Sequence, residues 1–255
     1  MPADAERAIE LAAAVGINAL AVYAGTLVAI LLGVAVGWRV ARRGGRVPRQ
    51  LRSRPATPRA LVTTLLLGFA AILATALVVA ALPALLAPDG HLARTDKALT
   101  AAIQGNVSQP VMQVFAAVTV LADTWVQWLF AIGGALVLLW RRERLLAVVW
   151  IAAIAGNGIV TRVVKTVFAR ARPLHDEALI RVDGYSFPSG HASGAIVIYG
   201  MLSYVLIRRS PVAWHLPIAL AAAAVAFTVG CSRIFLQVHY ASDVVAGFVT
   251  GLAWL

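Results

Sequence analysis

Apolar segments and short polar connections alternate along this 255-residue chain. Seven segments run almost without charge, near residues 16–38, 60–87, 124–140, 145–164, 191–207, 212–230 and 241–255. Most of them are long enough to cross a hydrocarbon core about 30 Å thick as helices. Hydrophobic residues make up 61% and charged residues 13% of the chain, against about half and about a quarter in a soluble domain. The pattern therefore predicts an all-α integral membrane protein.

Basic residues are concentrated in three of the polar connections. Of 22 lysines and arginines, 13 lie in residues 39–59, 141–144 and 208–209, which hold a single acidic residue, Glu143. This segregation is what the positive-inside rule produces, so we expect these connections to be cytoplasmic and the N-terminus to be outside. The arginines of 39–59 could also contact anionic lipid headgroups. No aromatic residues are interleaved with them, so a nucleic-acid partner is not expected.

Residues 88–123, 165–190 and 231–240 fall on the outer side if the seven crossings alternate. Within the first of these loops, residues 99–121 are apolar on one side and are interrupted by a glycine and a proline. We therefore expect short helices lying in the outer interface there, followed at Asp123 by the start of the next crossing. The acidic start MPADAERAIE argues against a cleavable signal peptide.

Three polar clusters lie in or beside the outer loops: KTVFARARP (165–173), SFPSGHAS (186–193) and SRIFLQVHYASD (232–243). They contain three cations, Lys165, Arg172 and Arg233, and a cation near membrane depth is costly unless it is paired. Each cation alone could be a salt-bridged helix end. The available carboxylates would then be Asp176, Glu177, Asp183 and Asp243. Together, the three cations favour an anion site, because arginine and lysine match phosphate oxygens in charge and geometry.

Two further pairs in these clusters fit an anion site. Ser189 and Gly190 precede a long apolar run, where backbone N–H groups and the positive end of a helix dipole would face an anion. An ordinary N-cap is the alternative. His239 and Asp243 are four residues apart and share a face if the segment is helical. The carboxylate would then hold one ring nitrogen and leave the other free as a nucleophile, or the pair would simply seal a helix interface.

His191, His239 and Asp243 are also candidate ligands of a metal ion. Three neighbouring cations would repel a divalent ion, so we expect no metal and no other cofactor. The single cysteine, Cys231, allows no intrachain disulfide.

Other polar residues are weaker candidates for this site. His175 follows the first cluster and could line the site. His91 is expected to be solvated, and His215 lies near the predicted inner end of its segment. Helix capping and interhelical hydrogen bonding are sufficient explanations for Asp123 and Asn157.

In order and spacing, the three clusters resemble the sequence motifs of the type 2 phosphatidic acid phosphatase (PAP2) family. The matching patterns are Lys165-x6-Arg172-Pro173, Pro188-Ser189-Gly190-His191 and Ser232-Arg233-x5-His239-x3-Asp243. The resemblance covers roughly residues 60–255 and implies a six-helix transmembrane core on the second to seventh segments. Residues 1–59, a transmembrane helix with an Arg-rich cytoplasmic loop, are an addition to that core.

The resemblance also implies a role for each matching residue. His239 would attack phosphorus to form a phosphohistidine, Asp243 would orient its ring, and His191 would protonate the leaving group. The phosphoryl oxygens would be held by the remaining matching residues: Lys165, Arg172, Ser189, Gly190 and Arg233. Such a cation cluster can stabilise the charge of phosphoryl transfer without a metal ion.

The implied function is a metal-independent lipid phosphatase at the outer membrane face, with lipid phosphates and membrane lipids as its partners. Candidate substrates are prenyl pyrophosphates, phosphatidylglycerol phosphate, phosphatidic acid and lipid A phosphates, and nothing in the sequence separates them. The alternatives are a lipid phosphotransferase that uses the same histidine and a non-catalytic lipid-binding or transport protein. The Ala- and Arg-rich composition indicates a bacterial source and hence an inner (plasma) membrane. A haloperoxidase is disfavoured because the chain is embedded in the membrane.

Overall fold

A computed structural model describes residues 3–43, 90–173, 180 and 182–255. The described residues form nine α-helices: α1 (Ala3–Ile17), α2 (Ala19–Arg43), α3 (His91–Asn106), α4 (Gln109–Thr119), α5 (Thr124–Trp140), α6 (Arg144–Phe168), α7 (Gly190–Ile207), α8 (Val212–Phe235) and α9 (Ala241–Trp254). A short 3-10 turn, Val120–Ala122, connects α4 to the segment before α5. The predicted crossing at 60–87 lies outside the described residues.

Five helical stretches are long and apolar enough to cross a membrane: α2, the run Gln109–Trp140, α6, α7 and α8. Helix α9 is a shorter apolar helix. These stretches agree with the predicted apolar segments and confirm an all-α protein with several transmembrane helices. The total number of crossings and the interfacial position of α3 and α4 stay predictions.

Helix α1 is not predicted by the apolar pattern, which begins the first crossing near residue 16. The helix contains too much charge for a crossing, at Asp4, Glu6, Arg7 and Glu10. A break at Asn18 separates it from α2, so the long apolar helix begins at Ala19. Helix α1 packs against α3 instead of continuing into α2.

The predicted pair of helices at 99–121 is present with shifted boundaries. Gly105 lies inside α3, which continues to Asn106, so the expected break at the glycine is wrong. The interruption comes at Val107 and Ser108. Pro110 lies in the first turn of α4, where its missing N–H costs no helical hydrogen bond.

Helix α7 is the centre of the packing and contacts α6, α8 and α9. Two glycines bring the backbone of α9 close to α7. A Cβ atom at Gly247 would lie 2.6 Å from the carbonyl oxygen of Ser189, and one at Gly251 would lie 2.8 Å from that of Ser193. The two helices therefore run side by side in the same direction, and both begin at the same end of the bundle.

Tyr23 attaches α2 to the rest of the described helices. Its hydroxyl lies 2.8 Å from Oγ1 of Thr228 on α8. Its ring is 5.5 Å from that of Phe115 on α4 and 5.8 Å from that of Phe227 on α8, centroid to centroid. Such aromatic pairs add to the apolar burial, so α2 is packed onto the bundle near the end where α3 and α4 lie.

Candidate active site

The three motif segments meet at one end of the helix bundle. The first spans the end of α6, the second spans the start of α7, and the third runs from the end of α8 to the first turn of α9. The backbone N–H of Ser186 donates to the carbonyl oxygen of Arg170 (2.8 Å), and that of Ser189 donates to the carbonyl oxygen of Asp243 (2.9 Å). These two hydrogen bonds connect the second segment to both of the others.

His239 is 2% exposed, and each of its ring nitrogens has a polar neighbour. Nε2 lies 3.1 Å from Nη1 of Arg172. Nδ1 lies 3.4 Å from Oδ2 of Asp243 and 3.3 Å from Oγ of Ser186. Because a guanidinium can only donate, Nε2 accepts and the ring proton is on Nδ1. The lone pair of Nε2 therefore points towards a cation.

The charge state of His239 follows from the same surroundings. Burial lowers the pKa of the imidazole to about 3, and the cations Arg172 and Lys165 act in the same direction, against the opposing effect of Asp243. The ring is therefore neutral near pH 7. A neutral imidazole is the form whose lone pair can act as a nucleophile.

Asp243 is fully buried, and its two carboxylate oxygens have different partners. Oδ1 accepts from Nη1 of Arg170 at 2.6 Å. Oδ2 accepts from the hydroxyl of Ser186 and from the backbone N–H of Tyr240 at 2.9 Å. The same Oδ2 faces the protonated Nδ1 of His239. The carboxylate thus holds the ring through the nitrogen that does not face the cations.

The contact between His239 and Asp243 has a different origin from the one predicted. His239 lies in the loop before α9, which begins at Ala241, so the two residues do not share a helical face. Asp243 instead lies in the first turn of α9, where its carboxylate accepts from the N-cap residue Tyr240. An acidic side chain is favoured at this position, and it faces the loop that carries the histidine.

Arg172 is held by backbone carbonyl oxygens. Nε donates to Gly184 (3.0 Å), Nη1 to Val238 (2.7 Å) and Nη2 to Tyr185 (3.1 Å). Burial lowers the pKa of the Arg172 guanidinium, but an arginine remains protonated in proteins. These contacts fix the position of the side chain without cancelling its charge.

The other two predicted cations are also held by neutral groups. Nζ of Lys165 donates to the carbonyl oxygens of Tyr185 (2.6 Å) and Ser186 (3.1 Å). Arg233 is 2% exposed, and its Nη1 donates to Oγ1 of Thr119 at 2.7 Å. Among the described residues, the buried Nε of Arg233 has no hydrogen-bond partner, so this guanidinium has donor capacity that they do not use.

The sequence left open that each cation is a salt-bridged helix end. Among the described residues, none of the three forms a salt bridge with a carboxylate. Arg172 meets Asp183 only at its carbonyl oxygen, at 3.5 Å. The carboxylate of Asp243 pairs with Arg170 instead. Asp176 and Glu177 lie outside the described residues.

Ser189 and Gly190 form the N-terminus of α7. The hydroxyl of Ser189 accepts from the backbone N–H of Ala192 at 3.5 Å, so the N-cap role is present. The first N–H groups of a helix have no partner within that helix. The start of α7 therefore presents backbone donors at the end of the bundle where His239 lies.

His191 is paired with Asp123, at 2.8 Å between Nε2 and Oδ1. The sequence suggested a helix cap for Asp123, and the residue does precede α5 as its N-cap. Its side chain makes no capping hydrogen bond and contacts the histidine instead. This contact orients the imidazole ring, and an oriented imidazole can exchange a proton with a leaving group.

Two cavities open beside these residues, and their sizes are typical of small-molecule sites. A cavity of about 570 Å³ is lined by His191 and Arg233 together with residues such as Trp125 and Val182. A second, of about 440 Å³, lies between α5 and α6 and is lined by Lys165, Gly190 and many apolar residues. Trp128 lines both cavities.

Three residues near the reacting centre were not predicted from the sequence: Asp96, Arg170 and Ser186. Ser186 contacts both His239 and the carboxylate of Asp243. Arg170 lies in the first motif segment, two residues before Arg172, and that proximity was the available signal. Asp96 is on α3, far from the motifs in sequence, and no local pattern points to it.

The remaining candidates have other positions. His175 lies outside the described residues. His91 is exposed, as predicted. His215 is buried, and its Nε2 lies 2.9 Å from the carbonyl oxygen of Ser210. Asn157 donates to Oγ of Ser193 on α7 at 3.4 Å, an interhelical hydrogen bond as predicted.

Over the described residues, no three His, Cys, Asp or Glu side chains form a group suited to a metal ion.

Comparison with known proteins adds to this geometry. Residues 144–255 match the family model of the PAP2 superfamily. Phosphatidylglycerophosphatase B of Bacillus subtilis is 36% identical over 97 residues, which cover 37% of this chain and 47% of that protein. Decaprenylphosphoryl-5-phosphoribose phosphatase of Mycobacterium tuberculosis is 32% identical over 131 residues, covering 49% of this chain and 65% of that protein. In both cases, the match spans less than two thirds of the relative.

A solved structure is also similar. The crystal structure of a transmembrane PAP2 type phosphatidylglycerolphosphate phosphatase from Bacillus subtilis superposes with a TM-score of 0.62 at 26% sequence identity. The superposition covers 73% of this chain and 91% of that one. The similarity therefore extends beyond residues 144–255 to a larger part of the helix bundle.

Proposed function

We propose that this chain is a metal-independent lipid phosphatase of the PAP2 superfamily, in agreement with its motifs and with the similarity of residues 144–255 to that family. It hydrolyses a phosphate monoester or pyrophosphate on a membrane lipid through a phosphohistidine on His239. We assign the catalytic core to residues 60–255 and treat residues 1–59 as an addition to it.

The orientation of His239 is the observation that carries this proposal. Its Nε2 accepts from Arg172 at 3.1 Å, while its protonated Nδ1 faces Asp243. A phosphate that replaced His239 as the acceptor of this Arg172 N–H would lie beside the Nε2 lone pair. Positioning and charge stabilisation are the main needs of phosphoryl transfer, and Lys165 and Arg233 add further positive charge.

The proposed reaction has two steps. The Nε2 lone pair attacks phosphorus, and the bond from phosphorus to the leaving oxygen breaks. The electron pair of that bond stays on the oxygen, which takes a proton from His191. Water then attacks the phosphohistidine and gives a proton back to His191. Inorganic phosphate leaves, and His239 is restored.

A lipid phosphate is the substrate class that the surroundings favour. The cavity between α5 and α6 combines an apolar lining with Lys165 and Gly190, so a hydrocarbon chain can lie next to residues that hold phosphate. The names of the two relatives concern phosphatidylglycerophosphate and a decaprenyl-linked phosphoribose. We propose the same candidates as the sequence: prenyl pyrophosphates, phosphatidylglycerol phosphate, phosphatidic acid and lipid A phosphates.

The membrane orientation is part of the proposal. The clustering of arginines in 39–59, 141–144 and 208–209 supports a cytoplasmic position for these connections. The site lies at the opposite end of α7 from Arg208 and Arg209. It would therefore face the outside of a bacterial inner membrane, with the N-terminus on the same side.

A phosphate-release panel tests this function. The purified full chain in detergent micelles is given a prenyl pyrophosphate, phosphatidylglycerol phosphate, phosphatidic acid and lipid A in turn. We expect phosphate release from at least one lipid, a loss of more than about a thousandfold in His239→Ala, and wild-type rates in the exposed control His91→Ala. Vanadate should inhibit, because it adopts the five-coordinate geometry of the reacting phosphorus, and a chelator should not.

Three results would contradict the proposal. Strong chelator inhibition would argue against the metal-independent mechanism. A phosphorylated acceptor without matching free phosphate would identify a phosphotransferase. Binding of lipid phosphates without any release would identify a non-catalytic protein.

A further inference from the structure

Arg170 forms a bridge that the three motifs do not explain. Its Nη1 donates to Oδ1 of Asp243 at 2.6 Å and to the hydroxyl of Ser242 at 2.7 Å. Its Nη2 donates to Oδ2 of Asp96 at 2.9 Å. The two arms of one guanidinium thus hold two different carboxylates.

Asp96 is attached to the same loop through a second route. Its Oδ1 accepts from the backbone N–H of Ser242 at 3.2 Å, and its Oδ2 accepts from the hydroxyl of Ser242. A residue of α3 therefore binds the first turn of α9 both directly and through Arg170. Asp96 lies before residues 144–255, so it is outside the part of the chain that matches the family model.

The bridge is shielded from water. The side chains of Arg170, Asp96 and Asp243 are 11%, 4% and 0% exposed. Burial lowers the pKa of the Arg170 guanidinium, but the two carboxylates raise it above its ordinary value. The guanidinium also lies 4.4 Å from the ring centroid of Tyr240, a cation–π distance. A buried group that is held by three such hydrogen bonds is rigid.

The geometry points to Asp96 and Arg170 as positioning residues for the nucleophile His239. Arg170 occupies Oδ1 of Asp243 and so turns Oδ2 towards Nδ1 of the ring. Asp96 fixes Arg170 from the other side and shares its positive charge. This inference rests on the proposed function of His239 as the nucleophile, and it adds a contribution from a segment outside the three motifs.

The charge balance explains why two carboxylates are needed. If Arg170 paired with Asp243 alone, its positive charge would neutralise the carboxylate. Asp243 would then be a weaker acceptor for the proton on Nδ1 of His239. With Asp96 present, the three groups together keep one negative charge. Asp243 therefore remains a strong acceptor and stabilises the positive charge that develops on the ring when Nε2 bonds to phosphorus.

The test compares conservative substitutions in two ion pairs, Asp96–Arg170 and Glu143–Arg209. Asp96→Asn removes the charge but keeps the shape, and Arg170→Lys keeps the charge but cannot reach both carboxylates as a fork. Glu143→Gln is the matched control, because Glu143 pairs with Arg209 at 2.6 Å at the other end of α7. Steady-state kinetics use the lipid that the wild type hydrolyses fastest. Histidine-selective 15N NMR in micelles reports which ring nitrogen of His239 carries the proton.

We expect Asp96→Asn and Arg170→Lys to lower kcat by about tenfold to a hundredfold, the usual cost of losing outer hydrogen-bond partners of a functional histidine. KM should change by less than about threefold, since neither residue is placed against substrate. The wild type should show protonated Nδ1, and both variants should show a mixture of tautomers. Asp96→Glu, which keeps the charge, should recover part of kcat.

The inference is overturned if Asp96→Asn and Arg170→Lys keep both the kcat and the single tautomer of Glu143→Gln. A rise in KM alone would also overturn it, because that would indicate substrate binding. If the wild type releases no phosphate from any lipid, the proposed function fails. The tautomer of His239 in the variants still decides whether the bridge positions the ring.

Discussion

Arg170 and Arg172 are two residues apart in the same segment, yet their environments are opposite. Arg170 donates to the carboxylates of Asp96 and Asp243. Arg172 donates to backbone carbonyl oxygens and to a ring nitrogen of His239. Both guanidinium groups are well held, but only the charge of Arg172 is left without an anionic partner among the described residues.

This difference separates a paired side of the site from an unpaired side. The paired side consists of Asp96, Arg170 and Asp243 and faces Nδ1 of His239. The unpaired side consists of Lys165, Arg172 and Arg233, and Nε2 of His239 faces Arg172 there. Arg233 is buried, and Lys165 and Arg172 are half-buried. Cations without counterions are costly in such positions, which supports the proposal that a phosphate completes the site. The imidazole lies between the paired side, which we propose orients it, and the unpaired side, which we propose binds phosphate.

The largest expected effect comes from the unpaired side. Arg172→Gln removes the charge next to Nε2, and we expect kcat to fall by about a hundredfold to a thousandfold, as when a transition-state donor is lost. Phosphate release from the preferred lipid measures the change. Arg209→Gln makes the same substitution at the other end of α7 and should leave kcat within about twofold of wild type. An Arg172→Gln enzyme with near-normal kcat would contradict the division into two sides.

The unpaired side was predictable from sequence, and the paired side largely was not. Lys165, Arg172, Arg233, His239 and Asp243 lie in short motifs whose spacing carries chemical information. Asp96 approaches Ser242 across 146 positions, and no helical or motif spacing describes such a contact. Arg170 was visible in the sequence, but its role depends on where α3 packs.

The helices differ in the same way in how far the sequence predicts them. Apolar length correctly predicts the long helices α2, α5, α6, α7 and α8, because burial in lipid selects for composition. Helix α1 is charged but rich in the helix formers Ala, Glu and Leu, and it packs on α3. The apolar pattern does not report such a helix, and its packing on α3 is a tertiary contact that no local pattern describes.

A smaller effect is expected from the packing that supports the paired side. Gly16 of α1 lies against α3, where a Cβ atom would be 2.5 Å from Cβ of Ala102 and 2.8 Å from the carbonyl oxygen of Leu99. Gly16→Ala should therefore destabilise by about 1–3 kcal/mol through overpacking. Because α3 carries Asp96, it should also lower kcat, though less than Asp96→Asn does.

Gly25 on α2 offers a matched control, since a Cβ atom there would have no atom of another described segment within 4 Å. Gly25→Ala should raise stability by up to about 1 kcal/mol through helix propensity and leave kcat unchanged. Thermal unfolding in micelles and phosphate release measure both variants. Equal melting temperatures and rates for the two would show that the packing of α1 on α3 does not support the site.

The most direct measurement is the trapping of the covalent intermediate. The full chain is mixed with a lipid substrate labelled in the reacting phosphate and quenched in alkali within milliseconds. Under these conditions a phosphohistidine survives, whereas an acyl phosphate on an aspartate or glutamate is hydrolysed. Mass spectrometry of the peptides should place the label on His239, with none in His239→Ala. Rapid phosphate release without any labelled protein, or a label on a different residue, would contradict His239 as the nucleophile.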